Sequence, residues 1–352
     1  MGPLYQLLER ANQSLGRLDG LATLIPDINL FLYVYVRKEA VLSSQIEGTQ
    51  SSLSDLLLFE NAVAPGVPLH DVEEVSSYVA AMQHGLRRIA EGFPLSLRLI
   101  REMHKVLLGG GRGASKMPGQ FRRSQNWVGG TRPGNAVYVP PPPDRLLDCL
   151  DSFERFLHNE TSKLPLLIEL GLIHAQFETI HPFLDGNGRL GRLLISLLLC
   201  AKGALREPLL YPSLYFKIHR GQYYDLLQKV RTHGAWEEWL VFFLEGIETT
   251  ARQAADVVTQ SLLLFEKDRK TIESLGRSAP SASRVHGYMQ KKPIITIGST
   301  ATALQMSVPV VTTAVTGLVK LGIVKEVTGN RRNRLFSYSE YMKLMSEGTE
   351  PL

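Results

Sequence analysis

His181-Pro182-Phe183-Leu184-Asp185-Gly186-Asn187-Gly188-Arg189-Leu190-Gly191-Arg192 is the stretch on which the reading of this chain turns. It puts an imidazole, a carboxylate, a glycine-rich turn and two arginines within one loop. Upstream of it, Leu167, Leu170, Ile173, Phe177 and Ile180 recur at three- and four-residue steps, the period of a helix over Leu166 to Ile180. Pro182 disfavours helical geometry in the residue before it, so the spacing predicts that the helix closes with His181 in its last turn. An imidazole held there can take a proton from an attacking hydroxyl near neutral pH.

Asp185-Gly186-Asn187-Gly188 is a turn of residues that tolerate positive φ, and Leu190 to Cys200 starts a second, strongly apolar helix. A turn of this kind aims several backbone N–H groups at one spot, where the helix dipole also favours negative charge. Gly186, Asn187, Gly188, Arg189, Leu190, Gly191 and Arg192 therefore form a candidate phosphate cradle. Arg189 and Arg192, three residues apart, share one face of the first turn. Two cations at a helix N-terminus oppose its dipole, so an anion is expected to compensate them. Asp185 is a hard oxygen donor suited to a magnesium ion that bridges phosphates. A Gly-Asn-Gly turn alone is usually a plain connection, and a histidine at a helix end is usually structural. The complete spacing is what changes the reading.

That spacing resembles the signature of the Fic family, His-Pro-Phe-x-(Asp/Glu)-Gly-Asn-Gly-Arg-x-x-Arg, and every specified position is matched. Eight fixed residues and one acidic position coincide by chance roughly once in 10^11 windows. The resemblance implies transfer of AMP from ATP to a Ser, Thr or Tyr hydroxyl of a target protein. His181 would be the general base, and Asp185 would hold Mg²⁺ against the α- and β-phosphates. Asn187 and the amides from Gly186 to Arg192 would grip those phosphates, with Arg189 on the β-phosphate and Arg192 reaching the γ-phosphate. Pyrophosphate would leave in an in-line displacement driven by positioning and electrostatics.

Far upstream lies Ser43-Ser44-Gln45-Ile46-Glu47-Gly48. By residue chemistry alone, Gly48 is a helix C-cap after Glu47. The stretch resembles the family's inhibitory pattern, (Ser/Thr)-x-x-x-Glu-(Gly/Asn), which implies that Glu47 pairs with Arg192 and removes the partner the γ-phosphate needs. In some relatives the equivalent glutamate also helps to remove AMP from modified targets, so de-AMPylation stays open.

Gly119-Gln120-Phe121-Arg122 resembles the lead-in to the family's flap, expected over about 119–143. Ser124 to Gly130 and Asn135 to Val139 read as two short strands around the turn Thr131-Arg132-Pro133-Gly134, stopped by Pro140 to Pro143. Such a hairpin has an edge able to hold a target's backbone, with Trp127, Val128, Val137 and Tyr138 as docking residues. Arg220-Gly221-Gln222-Tyr223-Tyr224 resembles a stretch beside the adenine in relatives. Adjacent helical residues cannot both face a nucleotide, and Tyr224 is assigned to the pocket.

The chain has 352 residues, 44% of them hydrophobic, enough for two or three domains. A net charge of +5 is only a mild pull toward nucleic acid. Cys149 and Cys200 make no ligand cluster, and with no secretory signal they are expected as reduced thiols in a cytoplasmic protein. The apolar run around Leu193 to Ala201 is too short to span a bilayer, so no membrane partner is expected.

The expected fold is mainly α. Residues 1–95 form a helical region with a long periodic helix from Ile28 to Ile46 and another from Val72 to Glu91. Residues 96–245 are a Fic helical core with a β-hairpin flap. Residues 246–280 are a connecting helix and a linker around Gly276-Arg277-Ser278-Ala279-Pro280-Ser281. Residues 281–345 resemble a winged helix-turn-helix domain, with helices over Thr300 to Gln305 and Val308 to Leu321 and a hairpin from Ile323 to Tyr338. Arg331, Arg332 and Arg334 suit phosphate contact. The recognition-helix stretch Pro309 to Thr316 carries only hydroxyls and apolar groups, so DNA, a protein partner and a second copy in a homodimer all stay open.

The function expected is an autoinhibited protein adenylyltransferase using ATP and Mg²⁺ on a hydroxyl-bearing target, itself included. The alternatives are a nucleotide-sensing, DNA-binding transcriptional regulator and a transferase of the same fold with UTP, GTP or a phosphocholine donor. The last usually accompanies an altered loop, and this loop is intact.

Overall fold

A computed structural model describes residues 2–23, 25, 29–61, 68–110, 113–159, 161, 163–329 and 334–351, with the backbone alone at 29 and 30. Helix α1 (Pro3–Ala22) starts on a proline, whose missing N–H costs nothing there, and buries Leu7, Ala11, Leu15, Leu18 and Ala22. Helix α2 (Asn29–Ile46) carries the inhibitory motif, is buried along nearly its whole length and runs through the middle of the molecule. Ile28, the expected start of this helix, lies outside the described residues. Helix α3 (Leu53–Glu60) opens on a capping box: the Ser52 hydroxyl accepts from the Asp55 N–H, and the Asp55 carboxylate accepts from the Ser52 N–H. Helix α4 (Leu69–Ala90) packs on α2.

The core adds α5 (Leu97–Leu107), α6 (Leu146–Leu157), α7 (Leu166–Ile180), α8 (Asn187–Ala201), α9 (Ser213–Ile218) and α10 (Arg220–His233). Helices α7 and α8 are apolar and buried on nearly every face, so the loop between them is seated deep in the bundle. Helix α11 (Trp236–Ile272) is 37 residues long and begins well inside the region expected to belong to the core. The α1 stripe lies along it. Gly171 on α7 lets α11 approach: a Cβ there would meet Leu240, and the Trp239 indole donates to the Gly171 carbonyl at 2.8 Å.

The linker expected near Gly276 is instead a corner. Residues Glu273–Ser278 form a 3₁₀ turn bent at Gly276 (φ 57°, ψ −121°) and run directly into α12 (Ala279–Lys291). Leu275 packs against Gly317, which holds the bend. Glycine and serine mark tight corners as readily as flexible tethers, so composition alone did not separate the two. Then follow β1 (Ile294–Thr296), α13 (Ile297–Leu304), α14 (Val308–Lys320), β2 (Val324–Glu326), β3 (Leu335–Tyr338) and α15 (Ser339–Ser346). The three strands form an antiparallel sheet in the order β1-β3-β2, with Ile295 opposite Phe336 and Lys325 opposite Ser337. Val285, Val315, Leu318 and Tyr338 belong to the same continuous core as α2 and α11. The Tyr338 hydroxyl donates to Asp268 on α11 at 2.6 Å. Arg331 and Arg332 lie outside the described residues, and Arg334 is exposed.

The flap departs most from expectation. Among the described residues it forms no two-stranded hairpin, only a single bridge between Val128 and Tyr138. Gly129 and Gly130 both have positive φ, and a Cβ on Gly130 would strike the Asn135 backbone. The Asn135 side chain accepts from the N–H groups of Thr131 (3.0 Å) and Arg132 (2.9 Å), so the turn uses hydrogen-bonding groups that a ladder would need. Among the described residues no single helix is long and apolar enough to cross a membrane.

His174 on α7 illustrates how the core is tuned. Its Nδ1 lies 3.0 Å from the Gly191 carbonyl, which can only accept, so Nδ1 carries the proton and Nε2 accepts from the Tyr223 hydroxyl at 2.9 Å. Burial pushes its pKa down to about 3, against the hydrogen bond to Gly191. An unfolded histidine takes a proton near pH 6.5 that this one refuses, so stability is lost as pH falls below that point. Between pH 7 and pH 5 the loss from this group is about 2 kcal/mol. We expect the fall in Tm over that interval, measured by calorimetry, to be smaller in His174→Gln than in the parent; an equal fall contradicts the assignment.

Candidate active site

Helix α7 ends at Ile180, as the spacing predicted, but His181 caps it from outside the last turn. Ile180 is the last helical residue, and His181 sits just beyond it in the left-handed region (φ 49°, ψ 60°). An L-residue held there stores strain, which the surroundings must offset. They do so through the flap lead-in. Arg122 Nε donates to the His181 carbonyl at 3.0 Å, and the Arg122 N–H donates to the Pro182 carbonyl at 3.0 Å. Asn126 Nδ2 donates to the carbonyls of His181 (3.3 Å) and Phe183 (2.8 Å). Both side chains are buried. Sequence reasoning quoted Arg122 without giving it a task and passed over Asn126, because the contacts span more than 50 residues of chain.

The His181 ring is largely buried. Burial pushes its pKa down to about 4, helped by Arg231 and opposed by the Glu178 backbone and by Glu47. It is therefore neutral at pH 7, the form that can accept a proton. One turn back on α7, Glu178 Oε2 lies 3.9 Å from His181 Nδ1. Burial pushes Glu178 up to about 7, against the pull of Arg192. A Cβ on Gly191 would strike its carboxylate, which gives that glycine a steric reason.

Around the turn, Asp185 Oδ1 accepts from the Gly186 N–H at 2.6 Å, and its side chain is 40% exposed. Gly186 supplies a positive φ (76°) as the cap of α8. His104 on α5 ties the turn to the flap: Nδ1 accepts from the Gly119 N–H at 2.8 Å, so Nε2 carries the proton and donates to the Asp185 carbonyl at 3.0 Å. Its ring stacks on Phe183 at 3.7 Å, and burial pushes its pKa down to about 4. Asn187, expected to grip phosphate, has both ends of its amide engaged by the Phe183 backbone, Oδ1 accepting and Nδ2 donating at 2.9 Å each. Here its side chain is a clasp for the loop. The N–H groups of Gly188 and Arg189 precede the first helical bond of α8, which Leu190 N–H makes to the Gly186 carbonyl at 3.0 Å.

The two arginines find the anions that the sequence demanded, and both anions are protein carboxylates. Arg189 Nη1 lies 3.2 Å from Glu74 on α4 and Nη2 lies 3.7 Å from Asp185. Arg192, with no exposed surface, donates through Nε to the Ser43 hydroxyl (2.9 Å) and through Nη2 to the Ser43 carbonyl (2.9 Å) and Glu47 Oε1 (2.6 Å). The Glu47 carboxylate also rests against Gly188, where any Cβ would collide with it, so it covers the start of α8 beside Arg192. Burial works to raise the Glu47 pKa, but Arg192 and then Arg189 outweigh it, and the net shift is downward.

Of the adjacent tyrosines, Tyr223 is core, while Tyr224 is 37% exposed and feels the charges of Glu47 and Arg192. On the flap, Trp127 and Val137 are exposed and Val128 is half-buried in the bridge. Tyr138 turns inward, donating to the Thr179 carbonyl at 2.8 Å with Arg231 stacked 4.0 Å over its ring. It anchors the flap to α7. Among the described residues no group of three or more His, Cys, Asp or Glu side chains could hold a metal ion, so Asp185 stands as a lone donor.

Glu74 is the residue whose loss should tell most about this arrangement. Removing one partner of a buried pair leaves the other charge uncompensated, at a cost of about 3 kcal/mol. We expect Glu74→Ala to lose roughly that much in urea unfolding; no measurable loss would mean that Arg189 does not depend on it.

Residues 5–87 match the Fic/DOC family N-terminal description and residues 94–199 match the Fic/DOC family, together more than half of the chain. The protein adenylyltransferase Fic of Drosophila yakuba is 30% identical over 239 residues, covering 66% of this chain and 45% of the relative. That of Drosophila persimilis is 29% identical over 251 residues, covering 68% and 46%. The chain thus spans just under half the length of these curated relatives. A crystal structure of a Fic family protein from Desulfovibrio desulfuricans G20 superposes with a TM-score of 0.62 at 19% identity, over 96% of this chain and 97% of that one. Fic-1 from C. elegans gives 0.54 at 20% identity over 74% and 73%. The mainly helical architecture is that of the Fic fold, and the chain belongs to the Fic/DOC family.

Proposed function

We propose that this protein transfers AMP from ATP to a hydroxyl of a target protein and is held off by its own Glu47. The observation that carries the reading is the 2.6 Å pair between Glu47 and Arg192, made over the start of α8. A carboxylate there is the natural stand-in for a terminal phosphate: an anion on the same donors at the same helix end. In the reaction, neutral His181 takes the proton of the target hydroxyl as its oxygen attacks the α-phosphorus. The bond to the bridging oxygen of the β-phosphate breaks, and pyrophosphate leaves. Arg189 and the first amides of α8 stabilise the charge on the phosphates. A lone, partly open carboxylate such as Asp185 suits Mg²⁺, an ion that takes one or two protein ligands and otherwise phosphate and water; bound there, it would neutralise phosphate charge. Tyr224 is the side chain assigned to the adenine.

The order α12-β1-α13-α14-β2-β3 supports reading the C-terminal unit as a winged helix. Val308, Val310 and Val319 are exposed on α14, which favours a protein partner or a second copy over DNA. Exposed Trp127 and Val137 are the flap residues best suited to meet a target. Free thiols at Cys149 and Cys200 fit a cytoplasmic setting.

The reading is tested by self-labelling and lysate labelling from ATP radiolabelled on the α-phosphate. Glu47→Gly should raise the rate by about ten- to a hundredfold, the usual size of a coupling between two sites. His181→Ala in that background should lower it by about 10²–10⁴-fold. Equal labelling by all three forms would remove the proposal.

A further inference from the structure

The segment that follows α15 packs against the inhibitory motif itself. Gln45 is in the last turn of α2, two residues before Glu47, and its side chain meets the segment after α15 while that of Glu47 meets Arg192. Its buried amide Nε2 donates to the Thr349 carbonyl at 2.7 Å and to the Ser51 carbonyl at 2.9 Å. Lys217 on α9, itself buried, donates through Nζ to the carbonyls of Gly348 (3.0 Å) and Glu350. Gly348 lies against Leu214 so closely that a Cβ would collide with it. Lys38, on α2, is buried within the electrostatic reach of Glu347 and Glu350. An acidic segment thus lies in a seat of two lysines and one amide, and two of those three groups belong to the inhibitory helix.

The far end of that helix is not well satisfied. Ser44 Oγ, Gln45 Oε1, Thr49 Oγ1 and Ser51 Oγ are buried with no hydrogen-bond partner among the described protein atoms. Each such group costs free energy relative to a solvated one, which lowers the cost of releasing the stretch from Ser44 to Ser51. The contacts from 348–350 hold it from outside the helix, alongside Arg192 on Ser43 and Glu47 and Asp71 on the Gln50 N–H. Helix α15, which leads into them, packs on α2 and α3 and follows β3 without a break. A shift of the C-terminal sheet would be carried to the seat through that short helix.

We propose that residues 347–350 are a second lock on the inhibitory helix: seated on Gln45, Lys38 and Lys217 they keep Glu47 on Arg192, and their removal switches the enzyme on. The C-terminal unit then regulates the active site by holding or withdrawing this segment. The inference rests on the adenylyl-transfer reading of the site, but one of its tests does not.

The test uses the full chain with Gly348→Val, which crowds Leu214 and touches neither the active site nor α2, and Gln45→Leu, which keeps the shape and deletes the donor. Amide hydrogen exchange over residues 40–50 should rise by about tenfold in both, the factor set by loss of one or two buried hydrogen bonds. Labelling from α-phosphate-labelled ATP should rise by a similar factor, and Gly348→Val should add nothing in a Glu47→Gly background. Unchanged exchange over 40–50 in both variants overturns the lock whatever the labelling does. Raised exchange with unchanged labelling, in a protein whose Glu47→Gly form is active, also overturns it. If Glu47→Gly is itself silent, the adenylyl-transfer reading fails, and the exchange result alone decides whether residues 347–350 hold the helix.

Discussion

A fully buried guanidinium must have an anion, and much of this structure follows from which anion Arg192 is given. The residue is the sixth of α8, near the end where the helix dipole favours negative charge, so an uncompensated cation there would be costly. The protein answers with Glu47, and to place that carboxylate it runs α2 through the centre of the fold with Ser43 bracing the same guanidinium. Arg189 is answered by Glu74 from α4 in the same way. The N-terminal helices are thus bound to the loop through charge as well as through apolar packing. Carboxylates of the same chain thus occupy both arginines of the loop.

The second constraint is the strained backbone at His181. A left-handed residue at the end of α7 turns the imidazole toward the start of α8, and Arg122 and Asn126 hold that geometry from the flap. His104 does the same for the Asp185 end of the loop, with a neutral ring that donates on one side and accepts on the other. The flap is therefore less a free hairpin than a bracket: its base fixes the loop, Tyr138 fixes its return leg, and Trp127, Val137, Val139 and the turn from Thr131 to Asn135 remain outward. Precision at the base and exposure at the tip are properties of one short segment.

The helical architecture was legible because the helices that build it are long and their apolar residues recur with a helical period, as α7, α8 and α4 show. The split between buried Tyr223 and exposed Tyr224 followed from helix geometry in the same way. What escaped were contacts between distant segments. Glu74, Glu178, His104 and Asn126 carry no local pattern; each matters through a partner that only the tertiary fold supplies. The hairpin was over-read because Gly129, Gly130 and the Asn135 turn satisfy the backbone without a ladder, although the flanking residues are good strand formers. The linker was over-read because a glycine corner pinned by Leu275 has the composition of a tether.

The account turns on Glu47 holding the place of a γ-phosphate, and nucleotide affinity isolates that place. Calorimetric titration of ADP and ATP with magnesium into the parent and the Glu47→Gln variant compares ligands that differ by that one group. The account predicts that the parent binds the two about equally, and that the variant binds ATP more tightly than ADP by about tenfold or more, the contribution of one charge-assisted contact. An ATP preference of the same size in the parent would contradict it, because the seat on Arg192 would then be free.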